Sequence, residues 1–387
     1  MINDTFYDIA IIGGGISSCV FASTHIKNGF NGRIAIIENG RNLGGRASTR
    51  VSFSNSGWQL NHGSPNFNIS NSKNNSLLKT FIQELLDSKI IQSDFSDLIE
   101  LDGEPIDNKK ISSYFYSGQN YISKTSMSDL SKKIISLNNF RNQLDFFFQT
   151  LIVQLDYDKN SWILTSKNGY KFKTKFLISS SNLILHKRSL DILKINHIPL
   201  RKAIPIKYDE KIDSILYLLN KQKYIKRLTF LIYTKSNYCY KDNYKNKFRY
   251  FLLNNHLEKQ FKFERIIFQK QINGQLGIIL HTRNIKFINE YFQSNNKEIF
   301  KNILVDKFNQ TFDKNPYINK LKNYQDISIM IWNASQPSGL GIPENLQVCE
   351  KSNIAFCGDW FDLEGFGRIE GAILSGLKLS QKINLLY

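Results

Sequence analysis

The chain has 387 residues, enough to bury a large core and to divide into two domains. Its 51 Lys and Arg against 33 Asp and Glu give a formal net charge of +18, with 41% hydrophobic residues, the share of a globular protein. No apolar run of roughly 18 residues exists, which excludes a membrane-spanning helix. The basic residues are scattered rather than set in an aromatic-interleaved stripe, so nucleic acid is not an expected partner.

The first element is a strand at Phe6-Tyr7-Asp8-Ile9-Ala10-Ile11-Ile12, closed by Gly13-Gly14-Gly15 and followed by a helix over about 16–28. A strand starting by Phe6 leaves no room for a secretory signal, so a cytoplasmic location is expected. A second strand, Arg33-Ile34-Ala35-Ile36-Ile37, ends in Glu38, 23 positions after Gly15. Apolar strand, glycine cluster, helix and acid-terminated strand form the dinucleotide fingerprint. Gly13 suits a tight strand-to-helix turn and Gly15 a close backbone approach to a pyrophosphate, on which the helix N-terminus aims its free N–H groups. Glu38 is placed for an adenosine ribose and disfavours a 2′-phosphate. Ser18 stands where a third glycine is usual; it is small enough for close packing. Leu43-Gly44-Gly45-Arg46 after the acid narrows the dinucleotide to FAD.

Residues 76–93 read as one amphipathic helix, with Leu77, Leu78, Phe81, Ile82, Leu85 and Leu86 at helical spacing. A loop-rich stretch with Gly103, Pro105 and Gly118 follows. Another helix starts at Ser126-Met127-Ser128-Asp129-Leu130, with Ser128 as its N-cap. Strands are expected at Phe146–Leu155, Ser161–Ser166 and Lys171–Ser179, split by Asp158-Lys159-Asn160 and Asn168-Gly169. Residues 186–325 alternate strand-like runs (Ser214–Leu219, Leu228–Thr234, Gly277–Thr282) with a helical one (Asn289–Phe312). Two basic clusters, Lys221 to Arg227 and Tyr240 to Arg249, are either solvated faces or sites for an anion. Cys19, Cys239, Cys349 and Cys357 lack Cys-x-x-Cys spacing and read as reduced thiols; no metal site is expected.

The C-terminal residues return to the first pattern: a strand Asn353–Cys357, a Gly358-Asp359 turn and a helix Ile369–Asn384. Asp359 at the strand end suits a sugar-alcohol chain. The helix start at Gly367-Arg368-Ile369-Glu370-Gly371-Ala372 suits the electron-rich edge of a flavin ring. The expected class is therefore α/β with an α+β second domain: a discontinuous Rossmann-like FAD-binding domain (1–75, 121–185, 326–387) with an inserted mixed-sheet substrate domain (76–120, 186–325).

These motifs resemble the renalase-like flavoproteins of the FAD-dependent amine oxidase superfamily. Gly44-Gly45-Arg46-Ala47-Ser48-Thr49-Arg50 is similar to that family's Gly-Gly-Arg-Met-Ser-Thr-Arg, and Asn61-His62-Gly63-Ser64-Pro65-Asn66-Phe67 to its Asp-His-Gly-Ala-Gln-Tyr-Phe. Tyr121 to Leu130 resembles its Gly-Met-Ser segment. Trp332-Asn333-Ala334-Ser335-Gln336-Pro337 is similar to its Trp-x-x-Ala-x-Pro segment, and Cys357-Gly358-Asp359-Trp360 and Arg368-Ile369-Glu370-Gly371-Ala372 to its Gly-Asp-Trp and Arg-Val-Glu-Gly-Ala. The resemblance implies a p-hydroxybenzoate-hydroxylase-like fold and non-covalent FAD. The cofactor residues it implies are Gly13, Gly15, Ile16, Ser17, Glu38, Asn39, Gly44, Gly45, Arg46, His62, Gly63, Ser64, Val153 (through its backbone, at the adenine), Gly358, Asp359, Arg368, Ile369, Glu370 and Ala372.

The same resemblance implies an oxidase that takes a hydride from a small reduced substrate, a dihydronicotinamide or an amine, and passes electrons to O2, giving H2O2. His281 and Trp332 fall where renalases place a histidine and a tryptophan by the flavin face. As residues alone, His281 equally suits a strand interior, Trp332 a core, and Tyr217 either a core or an aromatic cage. Asn61 departs from the family's aspartate. A disulfide reductase would need paired cysteines and a second glycine fingerprint, and neither is present. A carotenoid- or amine-oxidase-type enzyme and a non-catalytic flavin-binding protein are the alternatives. The oligomeric state is not legible.

Overall fold

In a computed structural model of the protein, the described residues are 2–52, 57–70, 75–101, 118–137, 142–235, 248–271, 274–294, 296–313, 315 and 318–385. Cys239, Gly103, Pro105 and most of the Tyr240–Arg249 cluster lie outside them.

The chain opens with β1 (Ile2–Ile12), α1 (Ile16–Lys27) and β2 (Ile34–Ile37), then short strands β3 (Arg50–Ser52), β4 (Trp58–Leu60) and β5 (Phe67–Ile69). It continues through α2 (Ser76–Asp87), β6 (Ile91–Ser93), β7 (Asp97–Leu101), β8 (Gln119–Ser123) and α3 (Met127–Ser136). Next come β9 (Leu144–Phe147), β10 (Ile152–Asp158), β11 (Ser161–Ser166) and β12 (Lys171–Ser179), then helices α4 (Arg188–Leu193), α5 (Pro199–Ala203) and α6 (Glu210–Lys221). The second half holds β13 (Lys223–Thr234), β14 (Phe248–Leu253), α7 (Asn255–Phe261), β15 (Arg265–Lys270), β16 (Leu276–Thr282), α8 (Ile285–Gln293), α9 (Lys297–Thr311) and β17 (Tyr324–Ser338). It ends with β18 (Val348–Cys349), β19 (Ile354–Phe356) and α10 (Ile369–Asn384).

An eight-stranded sheet runs β10-β11-β12-β1-β2-β9, with β19 on β12 and β18 on β19. The β12, β1, β2, β9 and β19 pairings are parallel. Ile9, Ala10, Ile11 and Ile12 are all buried, as both-face coverage of a parallel strand requires. Helix α1 is buried on nearly every side and packs on α10; a Cβ on Gly376 would lie 2.5 Å from the Ser17 carbonyl oxygen, so this glycine permits the close approach.

The six-stranded sheet runs β17-β13-β16-β15-β14-β7. One face (Leu228, Phe230, Ile266, Phe268, Ile278, Leu280) packs on α7–α9 through Phe287, Phe300, Leu304 and Phe308. The other carries Leu231, Ile267 and Ile279 into the core that holds α1 and Leu60. The two sheets thus meet across a shared interior to which β4 and β5 contribute. Among the described residues no helix is long and apolar enough to cross a membrane.

Several local expectations change. The 76–93 helix stops at Asp87, because Lys89 adopts φ 56°, and Ile91–Ser93 pairs with β8 instead. Ser126, not Ser128, caps α3 by accepting the Asp129 N–H; Ser128 Oγ accepts the Thr49 N–H at 2.6 Å. The Phe146–Leu155 strand breaks at Gln149 (φ 52°) into β9 and β10. The Asn289–Phe312 helix is two helices. Ser214–Leu219 is helical, within α6: Asp209 caps it, and Ile212, Ile215, Leu216 and Leu219 are buried at helical spacing. Tyr217 therefore points outward, 61% exposed under Lys221, neither core nor cage. The expected division at 185/186 and 325/326 also shifts. Helix α6 shares a core with Tyr7, Leu177 and Phe356 of the first sheet, whereas β17, with Trp332, pairs along β13 of the second.

Candidate cofactor and substrate site

The glycine turn is built as its chemistry requires. Gly13 has φ +104°, and a Cβ there would lie 2.7 Å from Ser180 Oγ. Gly15 is the N-cap of α1 with no side-chain cap, and a Cβ there would meet nothing within 4 Å. Open space and the uncapped N–H groups of Ile16, Ser17 and Ser18 form an anion cradle that a methyl group would partly fill. Ser18 Oγ donates to the Gly15 carbonyl at 2.8 Å, so the irregular third position stiffens the turn.

Glu38 follows β2 and turns back on this cradle: its Oε2 accepts from Gly14 N–H at 2.6 Å and its Oε1 from Gly40 N–H at 2.5 Å. Asn39 beside it is exposed. Gly44 and Gly45, both at positive φ, dock on the turn: Gly44 N–H donates to the Gly14 carbonyl at 2.9 Å, and a Cβ on Gly45 would lie 3.3 Å from Gly15 Cα. The next residue, Arg46, reaches the far end of the chain, with Nη2 at 2.5 Å from Asp359 Oδ1 and Nη1 donating to the Ser335 carbonyl at 3.2 Å. Gly358 sits at φ +153°, and its N–H donates to Ser375 Oγ.

Val153 lies where the β10–β11 register shifts, between the pairs Ile152–Ser166 and Gln154–Thr165. The preceding segment is tied to the acid: Thr150 N–H donates to the Glu38 carbonyl at 2.9 Å. Such a bulge takes a backbone out of the ladder beside the segment tied to Glu38.

At the N-terminus of α10, Ile369, Glu370 and Gly371 have first-turn N–H groups without helical partners. Ala372 does not share that role, because its N–H donates to the Arg368 carbonyl at 3.1 Å. Glu370 turns its fully buried side chain away, accepting from Ser70 N–H and Ser70 Oγ through Oε1 and from Arg368 Nη2 at 2.6 Å through Oε2. Its side chain, with that of Arg368, fastens the end of β5 to the helix.

His62, Gly63 and Ser64 run against the Arg46–Ser48 segment. Ser64 N–H donates to the Arg46 carbonyl, and a Cβ on Gly63 would fall 2.0 Å from that oxygen. Asn61 is buried; its Oδ1 accepts from Thr49 Oγ1 and its Nδ2 donates to the Pro65 carbonyl, a bond that aspartate cannot make.

His62 gathers the two residues expected at the substrate face. Trp332 stacks on its ring with centroids 5.4 Å apart, and His281 hydrogen-bonds its backbone. His281 lies on β16 opposite Thr229, which lies opposite Met330 on β17; Trp332 is opposite Arg227 on the same face. Both imidazoles are neutral at pH 7. Burial, then Arg50, lowers His62 to about 4, and burial, then Arg265, lowers His281 to about 3. Among the described residues, His62 Nδ1 and His281 Nε2 are buried without hydrogen-bond partners.

Sequence reading missed the brace behind this group. Arg227 forms a two-pronged ion pair with Glu264 and donates to Ser335 Oγ at 2.8 Å. Burial raises the Glu264 carboxyl, but Arg227 outweighs it and holds it near 2. The Lys221–Arg227 cluster is thus not uniformly a solvated face: Lys223 and Lys226 are exposed and Arg227 turns inward. Only a pairing with Glu264, 37 positions away, would have signalled this. Among the described residues no cluster of three His, Cys, Asp or Glu is placed to hold a metal ion.

Residues 11–85 match the model of an NAD(P)-binding Rossmann-like domain. No curated protein sequence matches the chain. Solved structures share its architecture over almost the whole length. A putrescine oxidase bound to putrescine superposes with a TM-score of 0.66 at 11% identity, covering 98% of this chain and 99% of the other. A cyclohexylamine oxidase from Brevibacterium oxydans IH-35A superposes with a TM-score of 0.66 at 12% identity, covering 98% of this chain and 100% of the other. The fold is therefore a Rossmann-like dinucleotide domain joined to a second sheet domain, as in these oxidases.

Proposed function

We propose that the protein is an FAD-dependent oxidoreductase of renalase-like type, acting in the cytoplasm on a small reduced substrate, a dihydronicotinamide-like molecule or an amine. The observation that carries this reading is the single cradle formed by both chain ends: the Gly13–Gly15 turn, Glu38, Gly44–Arg46, Asp359 and the α10 N-terminus. The residues fit the cofactor. Gly15 opens onto free space, the α1 amides suit a pyrophosphate, Glu38 suits a ribose, and the Val153 backbone suits adenine. Arg46 and Asp359 are set for the phosphate and ribityl portions. The described cysteines, Cys19, Cys349 and Cys357, are buried with thiols pushed upward by burial, which supports non-covalent binding. Likeness to flavin amine oxidases in fold supports the same reading.

When bound, FAD would supply a two-electron acceptor for a hydride from a substrate C–H, with O2 as the terminal oxidant giving H2O2. The chain's own contribution is placement. Ile369, Glu370 and Gly371 present N–H dipoles where negative charge develops. Trp332 and His62 form a stacked wall, held by Arg227, Ser335 and Glu264, against which a planar substrate can lie. Both imidazoles are neutral, and removal of a hydride from an electron-rich carbon requires no protein base.

The test is to purify the protein, identify the released chromophore, and follow anaerobic bleaching of the flavin band by stopped flow. The panel is amines, dihydronicotinamide isomers and NAD(P)H, with peroxide measured on readmitting O2. A colourless protein, or a flavin that none of these reduces, sinks the oxidase reading.

A further inference from the structure

The inner face of the six-stranded sheet carries a charge pattern that bears on what the site admits. Cross-strand pairing puts Met330, Thr229, His281 and Arg265 in one row, and Trp332 and Arg227 in the next row on that face. Arg50, on β3, reaches this surface: its Nη1 lies 3.5 Å from Met330 Sδ, two positions from Trp332, and its charge bears on His62. Arg50 is exposed and has no carboxylate partner among the described residues. Arg227 is committed to Glu264. The histidines add no charge. Two stacked rings and, at their edge, a guanidinium without a carboxylate partner among the described residues form a receptor for an aromatic or planar molecule bearing an anionic group.

We propose that this site selects an anionic substrate, with its carboxylate or phosphate on Arg50 and its planar portion along Trp332 and His62, and that it disfavours cationic amines. This rests on the flavoenzyme reading for the identity of the site, but the recognition is the protein's own. A guanidinium binds a carboxylate or phosphate through paired N–H donors and repels an ammonium. The putrescine oxidase and cyclohexylamine oxidase share the fold, not this specificity.

Calorimetric titration of the flavin-loaded protein with benzoate and with benzylamine, molecules of matched shape and opposite charge, tests the proposal without turnover. Benzoate is expected to bind at least about tenfold more tightly than benzylamine, and sulfate to compete with it. Arg50→Gln should weaken benzoate about tenfold, and Arg50→Lys, which keeps the charge but loses the paired donors, should weaken it less. Arg33→Gln, at an exposed pair with Asp145, should change nothing. Equal binding of the two probes, no binding of either, or benzoate affinity indifferent to Arg50→Gln overturns the proposal. Benzoate binding that depends on Arg50 in a protein whose flavin no reductant bleaches overturns the oxidase reading instead.

Discussion

Arg46 and Asp359 meet at 2.5 Å although 313 positions separate them. The Asp359 side chain is almost fully buried, whereas Arg46 keeps two-fifths of its side-chain surface open toward the cradle. The carboxylate therefore serves as an anchor that aims a guanidinium, and the pair ties the Gly-Gly-Arg motif to the C-terminal strand end. Because Arg46 also donates to the Ser335 carbonyl, the aim extends to the second sheet.

Asp359→Asn is expected to fold and to bind FAD about tenfold or more weakly, since an amide accepts a weaker hydrogen bond and leaves the guanidinium uncompensated. Fluorescence titration of the apoprotein with FAD checks this. Arg46→Ala should lose at least as much. Unchanged affinity in both would remove these residues from the cofactor site.

Two glycines separate folding from cofactor binding. Gly15→Ala places its methyl in open space at φ −76°, so stability should fall by no more than about 1 kcal/mol, the cost of an alanine N-cap, while FAD affinity falls, because the methyl occupies the pyrophosphate's approach. Gly63→Ala drives a Cβ to 2.0 Å from the Arg46 carbonyl oxygen, so the chain must shift; a loss of more than about 3 kcal/mol in urea unfolding is expected.

The brace behind the Trp332–His62 stack can be broken on one side. Arg227 and Glu264 keep only 17% and 14% of their side-chain surface exposed. Glu264→Gln leaves Arg227 buried without its counter-charge and should cost about 3 kcal/mol. Lys27→Gln, which removes an exposed pair with Glu84, should stay within about 0.5 kcal/mol. Chemical denaturation of the two variants gives the comparison, and a small effect at Glu264 would show that the pair is easily solvated.

The glycine turns of the candidate site were legible because their constraints are local. Gly13, Gly15 and the Gly44-Gly45 pair are dictated by turn geometry and backbone approach, and the α10 start by helix chemistry. The elements between residues 186 and 338 were less so, because their contacts are non-local. Ser214–Leu219 is an apolar run of ambiguous period, and only the Asp209 cap and burial at Ile212 and Leu219 settle it as a helix. Arg227 stands among lysines, and its inward turn follows from Glu264 and Ser335, which no spacing announces. His281 and Trp332 were located as residues, but their common dependence on His62 appears only when β16 and β17 are laid across β13.

Buried neutral histidines make stability depend on pH in a defined direction. Burial lowers His25 and His62 to about 4 and His281 to about 3, below their unfolded value of 6.5. The unfolded chain therefore binds more protons than the folded one at pH 4–6.5, and stability falls as pH drops through that window. By pH 5 each histidine should have removed about 2 kcal/mol relative to pH 7. Glu264, held near 2, keeps its contribution at pH 5 and loses it only at lower pH. His25 is the clean probe, because it lies between Phe21 and Phe30, with ring centroids 5.0 and 4.6 Å away, on the far end of α1 from the cradle. His25→Phe should leave stability near pH 7 little changed and reduce the loss between pH 7 and pH 5 by about 2 kcal/mol. Urea denaturation of parent and variant at both pH values measures it, and identical pH slopes would show that His25 titrates normally in the folded protein.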